Sequence, residues 1–229
     1  MKTTEELRYI IQDKLAREKD LDDESALSII SKSVFEFYEN TEELCYEELK
    51  KEVYKMFYRT RSKLSILKPL MDDKDITEIM VNGYDEIFYE KYNTMFRYDL
   101  SFDSVEEVEE VMHLIAGDLN REINELNPIV DARLPDGSRV NGVYKNVAVK
   151  GPALTIRKFL ENYITMEQLI ANETISKEGA EFLKYLVESK YNIFVSGGTS
   201  SGKTTLINAL GGYIPKEERV IIIEDSAEL

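Results

Sequence analysis

Residues 197–204, Gly-Gly-Thr-Ser-Ser-Gly-Lys-Thr, constrain the backbone more tightly than any other stretch of the chain. Their spacing fits G-x-x-x-x-G-K-[ST]. Gly197 and Gly202 can adopt angles closed to residues with a side chain, and they let an anion approach the main chain. Successive N–H groups then point inward, and a helix start adds partial positive charge. The flanks agree with this. Residues 192–196 (NIFVS) are a short apolar β-type run, and residues 204–210 (TTLINAL) have helical spacing. Strand, glycine loop and helix therefore follow in the order that a triphosphate cradle needs. In such a cradle Lys203 reaches the β- and γ-phosphates and Thr204 offers its hydroxyl to Mg²⁺. Gly198, Thr199, Ser200, Ser201 and Thr205 complete the candidate ATP-binding run. A glycine-rich turn with no ligand is the bland reading, and it requires neither flank.

The chain has 229 residues, room for one large domain or two smaller ones. A formal net charge of −15 argues against nucleic acid as a partner. The single cysteine, Cys45, cannot form an internal disulfide, which fits a reducing cytoplasm. No apolar run approaches membrane-spanning length, and the first residues are amphipathic rather than signal-like. The expectation is a soluble, cytoplasmic protein that meets a membrane only through a partner. The charge is uneven. Acidic side chains dominate residues 65–126, whereas basic ones outnumber them over residues 127–162. That island points to a local anion or to ordinary fluctuation in surface charge.

The first third reads as three amphipathic helices, predicted to pack as a small bundle. Thr3 and Glu6 form a possible capping box ahead of Leu7, Ile10, Ile11 and Leu15. Leu27, Ile30, Val34 and Phe37 make a second stripe, and Leu44, Leu49, Val53 and Phe57 a third. Strand signals follow at residues 77–82, and a hairpin is predicted around Asn93. A helix over residues 104–121 carries Val105, Val108, Met112, Ile115 and Leu119 on one face, and its lone His113 reads as surface or structural. Residues 129–134 and 139–144 flank the turn sequence Pro135-Asp136-Gly137-Ser138. Another alternating strand lies at residues 154–159, two helical segments follow, and residues 220–223 (VIII) read as a buried-type strand.

Three blocks together resemble the secretion ATPase superfamily of type II and type IV systems, most of all its CpaF-type Flp/tad pilus assembly branch. They are LKPLMDDKDITEIMVNGYDEIFYE (67–90), DARLPDGSRVNGV with GPALTIRKF (128–159), and the glycine loop with IEDSAEL (196–210 and 223–229). The resemblance implies a mixed α/β and α+β chain with boundaries at 1–64, 65–160 and 161–229. These would be a three-helix bundle, a PAS-like α+β N-terminal domain and the start of a RecA-like P-loop domain. It further implies a homo-hexameric ring that hydrolyses ATP with Mg²⁺ and drives an inner-membrane secretion platform protein. Arg133, Arg139 and Arg157 match arginines that face nucleotide in relatives; ion pairs with Asp131 or Asp136 are the structural alternative. Glu224 and Glu228 match an acidic box whose glutamate helps position or activate the attacking water.

Two departures from the family pattern stand out. Ser200 occupies a position where relatives often carry glycine. The sequence also stops before the family's second acidic motif, so it looks like a fragment. Residues 220–223 are expected to lie exposed, and residues 1–229 alone are expected to hydrolyse ATP weakly. A non-catalytic nucleotide-binding scaffold is the competing class. A conjugation or type II secretion motor is the near neighbour within the family, and a small-molecule kinase would place the same loop near its N-terminus.

Overall fold

The computed structural model describes residues 4–18, 21–39, 44–159, 164–198 and 201–223, and forms two compact units, residues 1–158 and 159–229. The first unit opens with helices α1 (Thr4–Ala16), α2 (Asp23–Tyr38) and α3 (Tyr46–Arg61). Asp22 caps α2 by accepting from the Ser25 N–H at 2.8 Å, and Glu48 accepts from the Cys45 N–H at 2.7 Å to open α3. The capping box at Thr3 lies outside the described residues. Leu7, Ile11, Ile30, Val34, Phe37, Val53 and Met56 form the shared core. Ile10, expected on the same stripe, is 39% exposed. Leu7 and Ile11 stand four residues apart and hold the seam, and Ile10 lies about 100° away from Ile11 around the helix.

A 3-10 turn (Ser65–Leu67) and α4 (Lys68–Asp72) lead into a six-stranded antiparallel sheet. Its strands are β1 (Ile76–Asn82), β2 (Ile87–Lys91), β3 (Thr94–Arg97), β4 (Ile129–Arg133), β5 (Arg139–Val143) and β6 (Ala153–Arg157). They lie in the order β3-β2-β1-β6-β5-β4. Tyr92 and Asn93, with φ of 53° and 57°, make the tight turn between β2 and β3. Helix α5 (Val105–Asp118) joins β3 to β4 and shares a core with one sheet face. Its Val108, Met112 and Ile115 cluster with Ile79, Val81, Val140, Leu154 and Ile156. Gly142 on β5 lets the helix come this close: a Cβ there would sit 2.9 Å from Val130 Cγ1 and 3.1 Å from Met112 Cε.

A buried ionic cluster ties α3 to the start of α5. Lys55 and Arg59 both pair with Asp103, and Arg59 Nε also lies 2.6 Å from Glu107 Oε1, too far out of line to hydrogen-bond it. Glu107 accepts from Ser65 Oγ at 3.2 Å and from the Asp103 N–H at 2.9 Å. Arg59 and Glu107 side chains are each only 7% exposed, so neither can swing out to water. Glu52 sits beside the cluster with Oε1 buried and unbonded. Burial pushes its carboxyl above the usual range; Asp103 and Glu107 add to this, and Lys55 and Arg59 oppose it.

The second unit contributes helices α6 (Met166–Ala171), α7 (Lys177–Glu188) and α8 (Lys203–Gly211). Thr165 and Ser176 cap α6 and α7, and Met166, Leu169, Ala180, Ala209 and Leu210 form their core. The two predicted strands do not form here. Residues 192–196 and 220–223 have no strand partner among the described residues. Most of their side chains lie open, with Phe194 at 97% and Ile223 at 95% exposure, while Ile193 packs against the core. An apolar run becomes a strand only when a neighbouring backbone takes up its N–H and C=O groups.

Two outcomes are expected in denaturant melts. Gly142→Ala should lower stability by about 1–3 kcal/mol through overpacking against Val130 and Met112; no loss would mean that α5 can yield. The folded-state value of Glu52 is the raised one, so the cost of its charge is present at neutral pH and fades towards about pH 4. Glu52→Gln should therefore stabilise at neutral pH, with a gain that shrinks on acidification. A gain independent of pH would contradict this.

Candidate functional site

In the second unit the glycine loop turns directly into α8. Gly202 stands at the helix N-cap with φ 85° and ψ 17°, a left-handed conformation that favours glycine. The helix ladder begins with the Leu206 N–H bonded to the Gly202 carbonyl at 2.9 Å. The first turn of α8 therefore opens on the loop, with the positive end of its dipole facing it. Gly197 lies against Ser201, and a Cβ at Gly197 would sit 2.5 Å from Ser201 Oγ. Lys203 Nζ donates to the Gly198 carbonyl at 2.5 Å, which holds the ammonium over the loop. Thr204 and Thr205 lie half-buried in the first turn. Thr199, Ser200, Glu224 and Glu228 lie outside the described residues.

These groups fit a phosphate chain. A left-handed glycine at the N-cap, a second glycine packed against Ser201 and an ammonium on the loop are groups of the kind that an anion cradle uses. The Thr204 hydroxyl is of the kind that holds Mg²⁺ beside phosphates, a metal that keeps several waters and few protein ligands.

In the first unit, strand register brings the three predicted arginines together. Arg133 on β4 is directly opposite Arg139 on β5, and Arg139 is opposite Arg157 on β6. Cross-strand partners point to the same face, so the three form one row across three strands. The row lies on the face opposite α5, and all three side chains are exposed. It continues into acid: Arg157 is opposite Glu78 on β1, and Glu78 is opposite Glu90 on β2. Like charges directly opposite one another repel, which favours an anion above the row.

The arginines are not equivalent. Arg139 forks onto Asp131, with Nε to Oδ1 at 2.9 Å and Nη2 to Oδ2 at 2.7 Å. These bonds from Arg139 hold the Asp131 carboxyl below its usual range. Both side chains are nearly half exposed, so the pair adds little stability. The ion-pair alternative thus holds for Arg139 with Asp131. Asp136 instead accepts from Ser138, from its N–H at 3.0 Å and its hydroxyl at 2.9 Å. Arg133 pairs with none of the described residues, whereas Arg157 has a partner of its own. The pairing of Arg133 with Arg139 was available in the sequence, because both flank the turn over residues 134–138 symmetrically. Arg157 joins from a strand distant in sequence, and nothing local announces its place. The ionic cluster around Arg59 was missed, because three acids and two bases on α3, on α5 and just before α5 resemble solvated charge.

The family described as type II/IV secretion system protein matches residues 60–229. An uncharacterised protein of Methanocaldococcus jannaschii is 39% identical over 183 residues, covering 76% of this chain and 25% of that protein. The conjugal transfer protein TrbB of Rhizobium radiobacter is 32% identical over 164 residues, covering 69% of this chain and 50% of TrbB. Among solved structures, the VirB11 ATPase of the Brucella suis type IV secretion system, in complex with sulphate, is similar at 27% identity. That match covers 69% of this chain and 56% of VirB11, with a TM-score of 0.45. The chain thus spans a quarter to half of the length of these curated relatives. With the family match covering well over half of its residues, the chain belongs to the type II/IV secretion system protein family.

Proposed function

We propose that this chain is the nucleotide-gripping part of a secretion or pilus-assembly ATPase. The observation that carries the reading is the left-handed Gly202 at the start of α8, with Lys203 held over the loop. Family membership supports it. In this reading residues 197–205 bind the phosphates of ATP through main-chain amides, Lys203 neutralises them, and Thr204 holds Mg²⁺. When bound, Mg²⁺ neutralises charge that develops on the phosphates during transfer. Arg133, Arg139 and Arg157 supply a second cationic surface whose forked donors suit phosphate oxygens. Glu224 or Glu228 orients the attacking water.

At the scale of the whole protein, the proposal is a homo-hexameric motor of the CpaF-type pilus branch, with a helical arm, a PAS-like sheet domain and a RecA-like domain. It would be cytoplasmic, pressing on an inner-membrane platform protein. The resemblance of the three sequence blocks supports these finer points. Residues 1–229 alone should turn ATP over weakly, since the runs on either side of the loop are unpaired and exposed.

Two measurements test the reading. Binding of a fluorescent ATP analogue with Mg²⁺ should weaken about tenfold or more in Lys203→Ala, a loss near 1.4 kcal/mol. Unchanged affinity would remove Lys203 from the site. Arg133→Ala should weaken ATP more than adenosine, because only ATP carries the charge that the arginine meets. Equal losses would assign Arg133 to folding.

A further inference from the structure

The sheet ends in two edges whose backbone groups are unused. On β4 the bonds Tyr144 N–H to Pro128 O and Leu134 N–H to Ser138 O place the even-numbered residues in the ladder with β5. Ile129, Asp131 and Arg133 therefore turn their N–H and C=O groups outward. On β3 the bond Tyr98 N–H to Ile87 O does the same for even residues, which leaves Met95 and Arg97 open. No backbone bond reaches these five residues at the open edges among the described residues. Ile129 is 61% and Met95 56% exposed, and neither edge carries a proline or a bulge within the strand. Such edges are templates for another strand.

The geometry points to strand addition between copies of this chain: β4 of one copy pairs antiparallel with β3 of the next. The two edge strands run in opposite directions across the sheet, so head-to-tail extension gives an antiparallel pair without inverting the second copy. At both edges the outward-bonding residues are also those on the face opposite α5, so the faces match as well as the hydrogen bonds.

Charge selects the register. With Asp131 opposite Arg97, Arg133 faces Met95, and on the core side Ala132 meets Phe96 and Val130 meets Tyr98. A slip of two residues one way puts Arg133 opposite Arg97 and Asp131 opposite Asp99, two like-charge pairs. A slip the other way loses the charge pair. Every added copy presents a fresh β3 or β4 edge, so the contact is heterologous and repeats; the rotation per step decides between closure and a filament. None of this depends on the nucleotide reading, because the residues used are backbone groups and side chains at the sheet margins.

The test is sedimentation equilibrium of residues 1–229 over a concentration series, with hydrogen exchange at each concentration. The mass should rise with concentration. Arg97→Asp, which sets a carboxylate opposite Asp131, should weaken association about tenfold. Arg97 makes one long bond within its own chain, Nη2 to the Asp85 carbonyl at 3.4 Å, so circular dichroism should be unchanged. In the unaltered protein, amides of Ile129, Asp131, Arg133, Met95 and Arg97 should exchange about tenfold more slowly as assembly proceeds. A monomer at all concentrations, an assembly indifferent to Arg97→Asp, or added protection missing from either edge would overturn the proposal.

Discussion

A sheet covered by a helix on one face only has to sort its side chains, and strand register does the sorting. Helix α5 shares a core with one face through Val108, Met112 and Ile115, and Gly142 permits the close approach. Every second residue of each strand must then be apolar and the alternate ones must tolerate water. Fixing the apolar set fixes the polar set too, since a one-residue slip would exchange the faces. The row Arg133, Arg139, Arg157 is thus a consequence of burying Val140 and Ile156 and packing Ala132 against them. Packing on one side writes the electrostatics of the other.

The ionic cluster under α3 follows a different logic. Arg59 and Glu107 are buried rather than displayed, and with the part-exposed Asp103 they fasten the N-terminal helices to the sheet unit. Buried pairs of this kind stabilise little compared with apolar packing of equal volume, yet losing one partner is costly. Burial beside the cluster, with Asp103 and Glu107 adding to it against Lys55 and Arg59, makes Glu52 hold its proton more tightly than a solvated glutamate.

Much of this was legible in the sequence, for physical reasons that differ by element. The hairpin at Asn93 and the turn at Gly137 are dictated locally by backbone angles. Helix α5 shows its buried face in its own spacing. The loop over residues 197–204 is legible because glycine, lysine and helix start are neighbours in the chain. Residues 192–196 and 220–223 failed as strands because a β-type run states only a preference; pairing must come from elsewhere. Ile10 failed because a stripe of four apolar residues was wider than the seam it had to fill. The alignment of Arg157 with Arg139 needed the sheet order, which no local pattern encodes.

The loop and the arginine row gather positive charge by different devices, one through main-chain dipoles and one through aligned side chains. In the proposed function, main-chain amides at the start of α8 grip phosphate. Amide chemical shifts of the chain titrated with Mg-ATP, and separately with adenosine, test it most directly. The expected result is that Gly198, Gly202, Lys203 and Thr205 move on adding Mg-ATP and stay in place with adenosine. Loop amides that remain still under Mg-ATP, or that move equally with adenosine, would contradict the account.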